Sequence, residues 1–512
     1  MRTSIALASV LASCLGTGTL SAQGSFDLDK ATDGRLAFVA GFNFTNAPAA
    51  STLLFMSSVT SGPIPLSIVD PADPRSLAVG LELAALWFTV PTGTGNGQVG
   101  LPTPADPALA GALMNFQALT APGTSLVLGA LSNPVTQQLG LAGTPTALPR
   151  NLVIGRALSQ SFRVGRDIML AGGGRGSLLG ATGLASTERY DGRRMTVASG
   201  PTMTTPRALA FSTTLNDGRV LICGGVDATG VVLASAEIYN PATNTFTATG
   251  SMTVARAAFD GTILANGKVM VAGGTTNLAD AVQALTNAQD TVEVYDPATG
   301  VWTRVAAMAD RLLAPDLTLL ANGNVLLSGG FDVNSFLGLP LPVGSITTCR
   351  RYNPNTNTWS SAAPMNASRG AHGINTVRLP DGRVLVTGGA SSGPDLTQAS
   401  SIANAELYNP TTNSWTALAN MATPRAIHSV TLTLDGRVVV AGGAGGTFTA
   451  PVETASAQVL DPASNTWSPL SNLTTPRAGH AALATDDGLI VLLGGQTGGG
   501  ATSLSSIETI RP

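Results

Sequence analysis

The stretch ATPRAIHSVTLTLDGRVVVAGG, Ala422–Gly443, followed by AQVLDPASNTW, Ala457–Trp467, decides the fold. HSVTLTL alternates apolar and polar residues, as a half-buried strand does. GRVVVAGG is a β-branched run of the kind buried on both faces, and Asp435-Gly436 between them marks a tight hairpin. A third strand closes at Leu460-Asp461-Pro462, and Trp467 opens a fourth with a large apolar face for a neighbouring sheet.

The same unit recurs seven times. Glycine doublets stand at Gly172-Gly173, Gly224-Gly225, Gly273-Gly274, Gly329-Gly330, Gly388-Gly389, Gly442-Gly443 and Gly494-Gly495, at intervals of 49–59 residues. Hairpin dipeptides precede six of them: Asp217-Gly218, Asn266-Gly267, Asn322-Gly323, Asp381-Gly382, Asp435-Gly436 and Asp487-Gly488. Read from the dipeptide alone, each hairpin is a two-residue turn with positive φ at both centres. Third strands end at Tyr239-Asn240-Pro241, Tyr295-Asp296-Pro297, Tyr352-Asn353-Pro354 and Tyr408-Asn409-Pro410, and Phe246, Trp302, Trp359 and Trp415 follow. A period near fifty with four strands per unit, each unit apolar on both faces, requires stacking around an axis. The paired glycines fit places where backbone or rings come too close for a Cβ.

These units resemble kelch repeats over Pro145–Pro512. The resemblance implies an all-β chain: a seven-bladed kelch β-propeller (145–512) preceded by a small β-sandwich-like domain (24–144). The seventh unit ends after its third strand. Pro145–Leu152, PTALPRNL, aligns with TWSPLSNL, Thr466–Leu473, and is expected to close the ring as the missing strand.

Residues 1–22 read as a secretory signal, one arginine followed by an apolar stretch and small residues. Leu11-Ala12-Ser13-Cys14 also resembles a lipoprotein box of bacterial type, so secreted and cell-surface locations both stay open. No later stretch approaches a membrane span. With charged residues at 11% and a net charge of −3, the surface argues against nucleic acid. Cys223 and Cys349 stand where other repeats carry alanine, and read as small buried hydrophobes in different blades.

Three columns carry the candidate chemistry. His372, His428 and His480 share one repeat position, three after an arginine, which distributes them around a ring instead of converging them on a metal. Arginines open the units at Arg156, Arg207, Arg256, Arg311, Arg369, Arg425 and Arg477. Glu188, Glu237, Glu293, Arg350, Glu406, Gln458 and Glu508 stand two residues before the third-strand tyrosine or its replacement. The two columns are either ion pairs tying blade to blade or a cationic ring for an acidic sugar at the channel mouth. The long loops Thr275–Asp290, Phe331–Ile346 and Ala390–Asn404 share their face and offer Asp280, Asp332, Phe336 and Asp395 as candidate binding residues. The apolar run around Phe336 is expected either to pack on the N-terminal domain or to form a partner surface.

The layout resembles that of the secreted copper-radical oxidases of the galactose oxidase type, whose copper is held by two histidines and two tyrosines, one cross-linked to a cysteine. Every tyrosine here occupies a repeat position, so no copper site, and no cofactor, is expected. The reading is a secreted, monomeric, non-catalytic binding or scaffold protein with a protein or glycan ligand. The alternative is a carbohydrate-active enzyme acting at the channel mouth, either a sugar oxidase or one like the sialic acid mutarotases of the kelch family.

Overall fold

The computed structural model describes residues 27–30, 39–47, 51–58, 61–65, 76–79, 86–89, 96–102, 109–122, 131–176, 180–336, 339–372 and 376–512. The signal segment and Cys14 lie outside them. The described residues are strand and turn, with a short helix at Ala281–Thr286 and a 3-10 turn at Leu396–Gln398.

Seven four-stranded antiparallel sheets form the propeller. The sixth blade is typical: Ser429–Leu432, Val438–Ala441, Ala457–Asp461 and Thr466–Leu470 pair in sequence order. The second strand of blades 2 to 7 is buried throughout, as its apolar, β-branched run dictates, and that of blade 1, Asp167–Ala171, is buried beyond Asp167. The innermost strands follow one another around the axis, from Gln160–Val164 in blade 1 to Ala481–Ala484 in blade 7, and these two meet. Closure is made by Thr146–Asn151, which pairs antiparallel with Ser506–Ile510 (Thr146 opposite Thr509, Ala147 opposite Glu508), so the seventh sheet is built from both ends of the repeat region.

The hairpins differ from the two-residue turns expected. Only the glycine has positive φ, as at Gly218 (+83°) and Gly436 (+85°). Gly218 donates its N–H to Leu215, and Leu215 N–H to Arg219, giving a three-residue loop with its bulge at glycine. Asp217 keeps a negative φ because its carboxylate accepts from Arg219 N–H and Nε.

Between blades, the glycine doublets do what close approach requires. A Cβ on Gly442 would stand 2.5 Å from Arg477 O and 2.8 Å from the His480 ring. The outer strands are tied by the tryptophans: the indoles of Trp302, Trp359, Trp415 and Trp467 each donate to a carbonyl of the preceding blade, Gly250, Ala306, Ala363 and Ala419.

In the N-terminal part, Asp27–Lys30, Val39–Thr45 and Gly97–Pro102 form one sheet. Leu86–Thr89, Ser51–Ser58, Leu113–Pro122 and Val135–Gln138 form another, and Phe42 meets Phe116 between them at 4.6 Å. This part docks on blades 7 and 1: Thr136 N–H donates to Arg193 O, Thr509 Oγ1 to Gln138 Oε1, and Lys30 pairs with Asp487 at 3.5 Å, both nearly fully buried. Those contacts lie at the hairpin face, opposite the long loops. Among the described residues, therefore, Phe331–Ile346 packs not on the N-terminal part but against the neighbouring loops, with Ser345 N–H on Ser392 O and the helix Ala281–Thr286 alongside. The side chain of Phe336 lies outside the described residues.

Candidate functional site

The arginine column is a blade-to-blade clamp. Arg369 O accepts from Gly330 N–H of the preceding blade, while its side chain reaches into its own blade. There Nη1 donates to Gly388 O (2.7 Å) and Asn404 O (3.1 Å), and Nη2 to Glu406 Oε1 (2.7 Å). Glu406 also accepts the N–H groups of Asn366 and Ala367 in the link between blades. The same arrangement joins Arg156 to Glu188, Arg207 to Glu237, Arg256 to Glu293 and Arg477 to Glu508, at 2.5–2.8 Å with every partner almost wholly buried. Arg425 has Gln458 in the glutamate column. Its guanidinium rests on Gly442 O, Ser456 O and the Ser456 hydroxyl, and burial lowers its pKa to about 10.

Blade 4 corrects the sequence register. The residue whose carbonyl accepts from the preceding doublet, at Gly274 N–H, is Leu312, and it is buried. Arg311 instead donates to Ala288 O and Thr286 O, holding the C-terminal end of the short helix. Arg350, in the glutamate column, takes Asp310 through Nε (2.7 Å) and Nη2 (3.0 Å), so the pair is kept with its polarity reversed.

The histidines are wedges. Nε2 of His372, His428 and His480 meets Ser328 Oγ (3.2 Å), Thr387 Oγ1 (2.8 Å) and Ser429 Oγ (3.0 Å), each in the preceding blade. Burial pushes His372 and His480 down to about 3, and His428 well below its usual value, so all three are neutral. Cys223 and Cys349 are free and buried, their thiols raised to about 12 by burial.

Of the loop candidates, Asp280 caps the helix through Gln283 N–H, and Asp395 caps the 3-10 turn through Thr397 N–H and Oγ1. Both are committed to local structure. Asp332 is buried with Oδ1 lacking a partner, and burial together with Asp310 raises its pKa. The three do not converge on one site. Instead the loops close over an apolar cluster containing Leu278, Leu285, Leu313, Phe331 and Leu396. Beside it, between the loops of blades 5, 6 and 7, lies a pocket of about 250 Å³ lined by Ala399, Ala426, Ile427, Ala444, Phe448 and Gln496.

The sequence reading missed a second constellation. Asp260 and Asp316 begin the innermost strands of blades 3 and 4 and are hydrogen-bonded to each other. Asp260 also accepts Leu317 N–H (2.8 Å), and Asp316 accepts Thr318 Oγ1 (3.0 Å) and Ser328 Oγ (3.3 Å). Burial, and for Asp316 also the Asp260 charge, raises both pKa values, that of Asp260 to about 7. The signal was present: both stand four residues after the clamp position, Arg256 and Leu312. Placing the column on Arg311 concealed the match.

Geometry and repeat chemistry together define a kelch-type β-propeller. The Kelch motif model matches residues 207–253 and 261–309. Kelch-like protein 36 of Mus musculus is 28% identical over 195 residues, 38% of this chain and 30% of that protein. Galactose oxidase of Gibberella zeae is 26% identical over 128 residues, 25% of this chain and 16% of that protein. The chain thus spans less than a third of the length of these two curated relatives. A solved fungal alcohol oxidase of the AA5 family, in complex with copper, superposes with a TM-score of 0.53 at 18% identity, covering 71% of this chain and 75% of that one, a likeness of fold.

The donors present do not fit a copper set of that type. The imidazoles are held between blades at the loop face. The phenols of Tyr239, Tyr352 and Tyr408 are bound to Asn244, Asn357 and Asn413 in the turns of the opposite face. Among the described residues no three His, Cys, Asp or Glu side chains group as metal ligands.

Proposed function

We propose that the chain is an exported, non-catalytic binding scaffold whose loop face takes a protein or glycan ligand. The observation that carries this reading is the division of labour across the propeller. The repeat arginines and glutamates are consumed in holding blades together, while the variable loops build a pocket of about 250 Å³ on that frame. An acidic sugar held by an arginine ring finds no support, since the guanidiniums are buried and already bonded. Kelch-type relatives support an interaction role by analogy. Export rests on residues 1–22 and is checked by N-terminal sequencing of the mature protein.

The experiment is panning a displayed peptide library and probing a glycan array with the purified full chain. Saturable binding to a loop-face ligand is expected. Hits that compete with none of the loop-face residues would overturn the reading.

The enzyme alternative has one observation in its favour, the buried carboxyl pair Asp260–Asp316 at the start of two neighbouring innermost strands, with both pKa values raised. A glycoside-directed activity abolished by Asp260→Asn with the fold intact would establish it.

A further inference from the structure

We infer that the Lys30 amine and the Asp487 carboxyl join in an isopeptide bond, a covalent cross-link between the N-terminal part and blade 7. The two side chains are 5% and 3% exposed, and Nζ lies 3.5 Å from Oδ2. Among the described residues neither atom has a hydrogen-bond partner. As an ion pair this is poorly made, because a buried charge needs hydrogen bonds as well as a counterion. The residue types point the same way. Of the chain's 27 basic residues only Lys30 and Lys268 are lysines. The buried pairs between blades all use arginine, the better partner for a carboxylate, whereas an amine can act as a nucleophile. The repeat also leaves Asp487 available. In blades 2, 5 and 6 the hairpin aspartate takes Nε of the arginine two residues on: Asp217 with Arg219, Asp381 with Arg383 and Asp435 with Arg437. Blade 7 has Leu489 at that place, wholly buried. The Thr485 hydroxyl donates to Asp487 Oδ1, which leaves Oδ2 toward Lys30.

The step needs no reagent from outside the chain. Nζ adds to the carboxyl carbon Cγ, one bond from Oδ2; the Nζ–Cγ bond forms and the Cγ–Oδ2 bond breaks. The ammonium gives up two protons, both of which leave on Oδ2 as water, and one hydrogen stays on the amide nitrogen. The two charges of the pair cancel, and nothing is oxidised or reduced. Negative charge that builds on Oδ1 during addition is met by the Thr485 hydroxyl. Packing supplies the rest. Reacting atoms held about 3–3.5 Å apart need little further ordering. Leu489, Tyr190 and Met195 belong to one apolar cluster beside the pair, where two charges are costlier than a neutral amide and the water that would reverse the step is kept out. The Tyr190 hydroxyl is buried without a partner, and burial followed by the Asp487 charge raises its phenol, so it is a protonated group able to carry a proton to the departing oxygen. The bond fastens the strand Asp27–Lys30 to the blade that both ends of the repeat region build, beside the hydrogen-bonded closure of Thr146–Asn151 on Ser506–Ile510.

The test is the intact mass of the purified full chain under denaturing conditions, with its N-terminal residue fixed by sequencing. A mass one water below that of the sequence is expected, together with a branched peptide in the proteolytic map that joins Lys30 to Asp487. Lys30→Arg, which keeps the positive charge, and Asp487→Ala should each restore the full mass and abolish the branched peptide. Lys268→Arg, at the other lysine, should keep both the deficit and the branched peptide. Should Lys30→Arg or Asp487→Ala fail to fold, the wild-type mass and the branched peptide still decide. Folded wild type at full mass would overturn the assignment and leave a buried ion pair. A deficit that persists in Lys30→Arg with no branched peptide would overturn it as well, since that is the mark of succinimide closure at an Asp-Gly bond such as Asp487-Gly488.

Discussion

Replacing Glu406 by alanine tests the clamp where it is most fully built. The carboxylate accepts from Arg369 Nη2 (2.7 Å), Asn366 N–H (2.7 Å), Asn366 Nδ2 (2.7 Å) and Ala367 N–H (3.0 Å), and both side chains of the ion pair are at most 1% exposed. Truncation leaves the Arg369 charge in place with its carbonyl bonds but without its counterion, and strands two link amides. Breaking a buried pair by removing one partner costs about 3–5 kcal/mol, and that range is the expectation. The internal control is Arg383→Ala, which removes a pair with Asp381 exposed at 29% and 50%, and should cost below about 1 kcal/mol. The double variant Arg369→Met/Glu406→Leu should cost less than the sum of its single changes, because no lone charge remains. It should not be neutral, since Gly388 O and Asn404 O lose their donor. Equilibrium urea unfolding measures each of these variants, including the single changes Arg369→Met and Glu406→Leu, against wild type. A loss below about 1 kcal/mol for Glu406→Ala would refute the clamp as a buried, structure-bearing contact.

Asp316→Asn should flatten one part of the pH dependence of stability. The folded carboxyl pair sits above the unfolded value of roughly 3.9, so at this pair the native state binds more protons, and its contribution to stability is lost as pH rises from about 4 through 7. The buried histidines act oppositely below about 6.5, so the difference between variant and wild type is the quantity to measure, by unfolding at several pH values. Gly442→Ala should destabilise by more than about 2 kcal/mol, since its Cβ would meet the Arg477 carbonyl at 2.5 Å. Gly436→Ala, with open space around it, should pay only the positive-φ penalty of about 1 kcal/mol in the same assay. Phenylglyoxal labelling read by mass spectrometry should modify exposed arginines and spare Arg156, Arg207, Arg256, Arg369, Arg425 and Arg477. Labelling of this set that sialic acid prevents would restore the acidic-sugar site.

The propeller was legible because each repeat writes its constraints in residue types that few alternatives satisfy. Gly-Gly stands where a neighbouring carbonyl and ring intrude, Asp-Gly where a strand reverses, and a tryptophan where adjacent outer strands must be bridged. The closing strand could be read from PTALPRNL because the last unit lacked a partner for Ser506–Ile510. What stayed hidden depended on register. An arginine one residue before Leu312 imitates the column, and only the bond from Gly274 N–H shows which residue occupies it. The Asp260–Asp316 pair went unseen for the same reason. The loop aspartates looked like ligand-binding groups, yet Asp280 and Asp395 cap short helical turns. The pocket itself is assembled from three loops whose separate sequences say nothing of their meeting.

The central claim, that recognition resides in the loop face and not in the repeat's charges, is tested most directly by comparing panned peptide ligands on wild type, Ala426→Leu and a third-strand control away from the pocket, Arg351→Ala. Arg351 lies in the strand Cys349–Asn353 and lines none of the pocket. The account predicts affinity lost in Ala426→Leu and retained in Arg351→Ala, with unchanged unfolding curves for both. Ligands that bind all three proteins equally would contradict it.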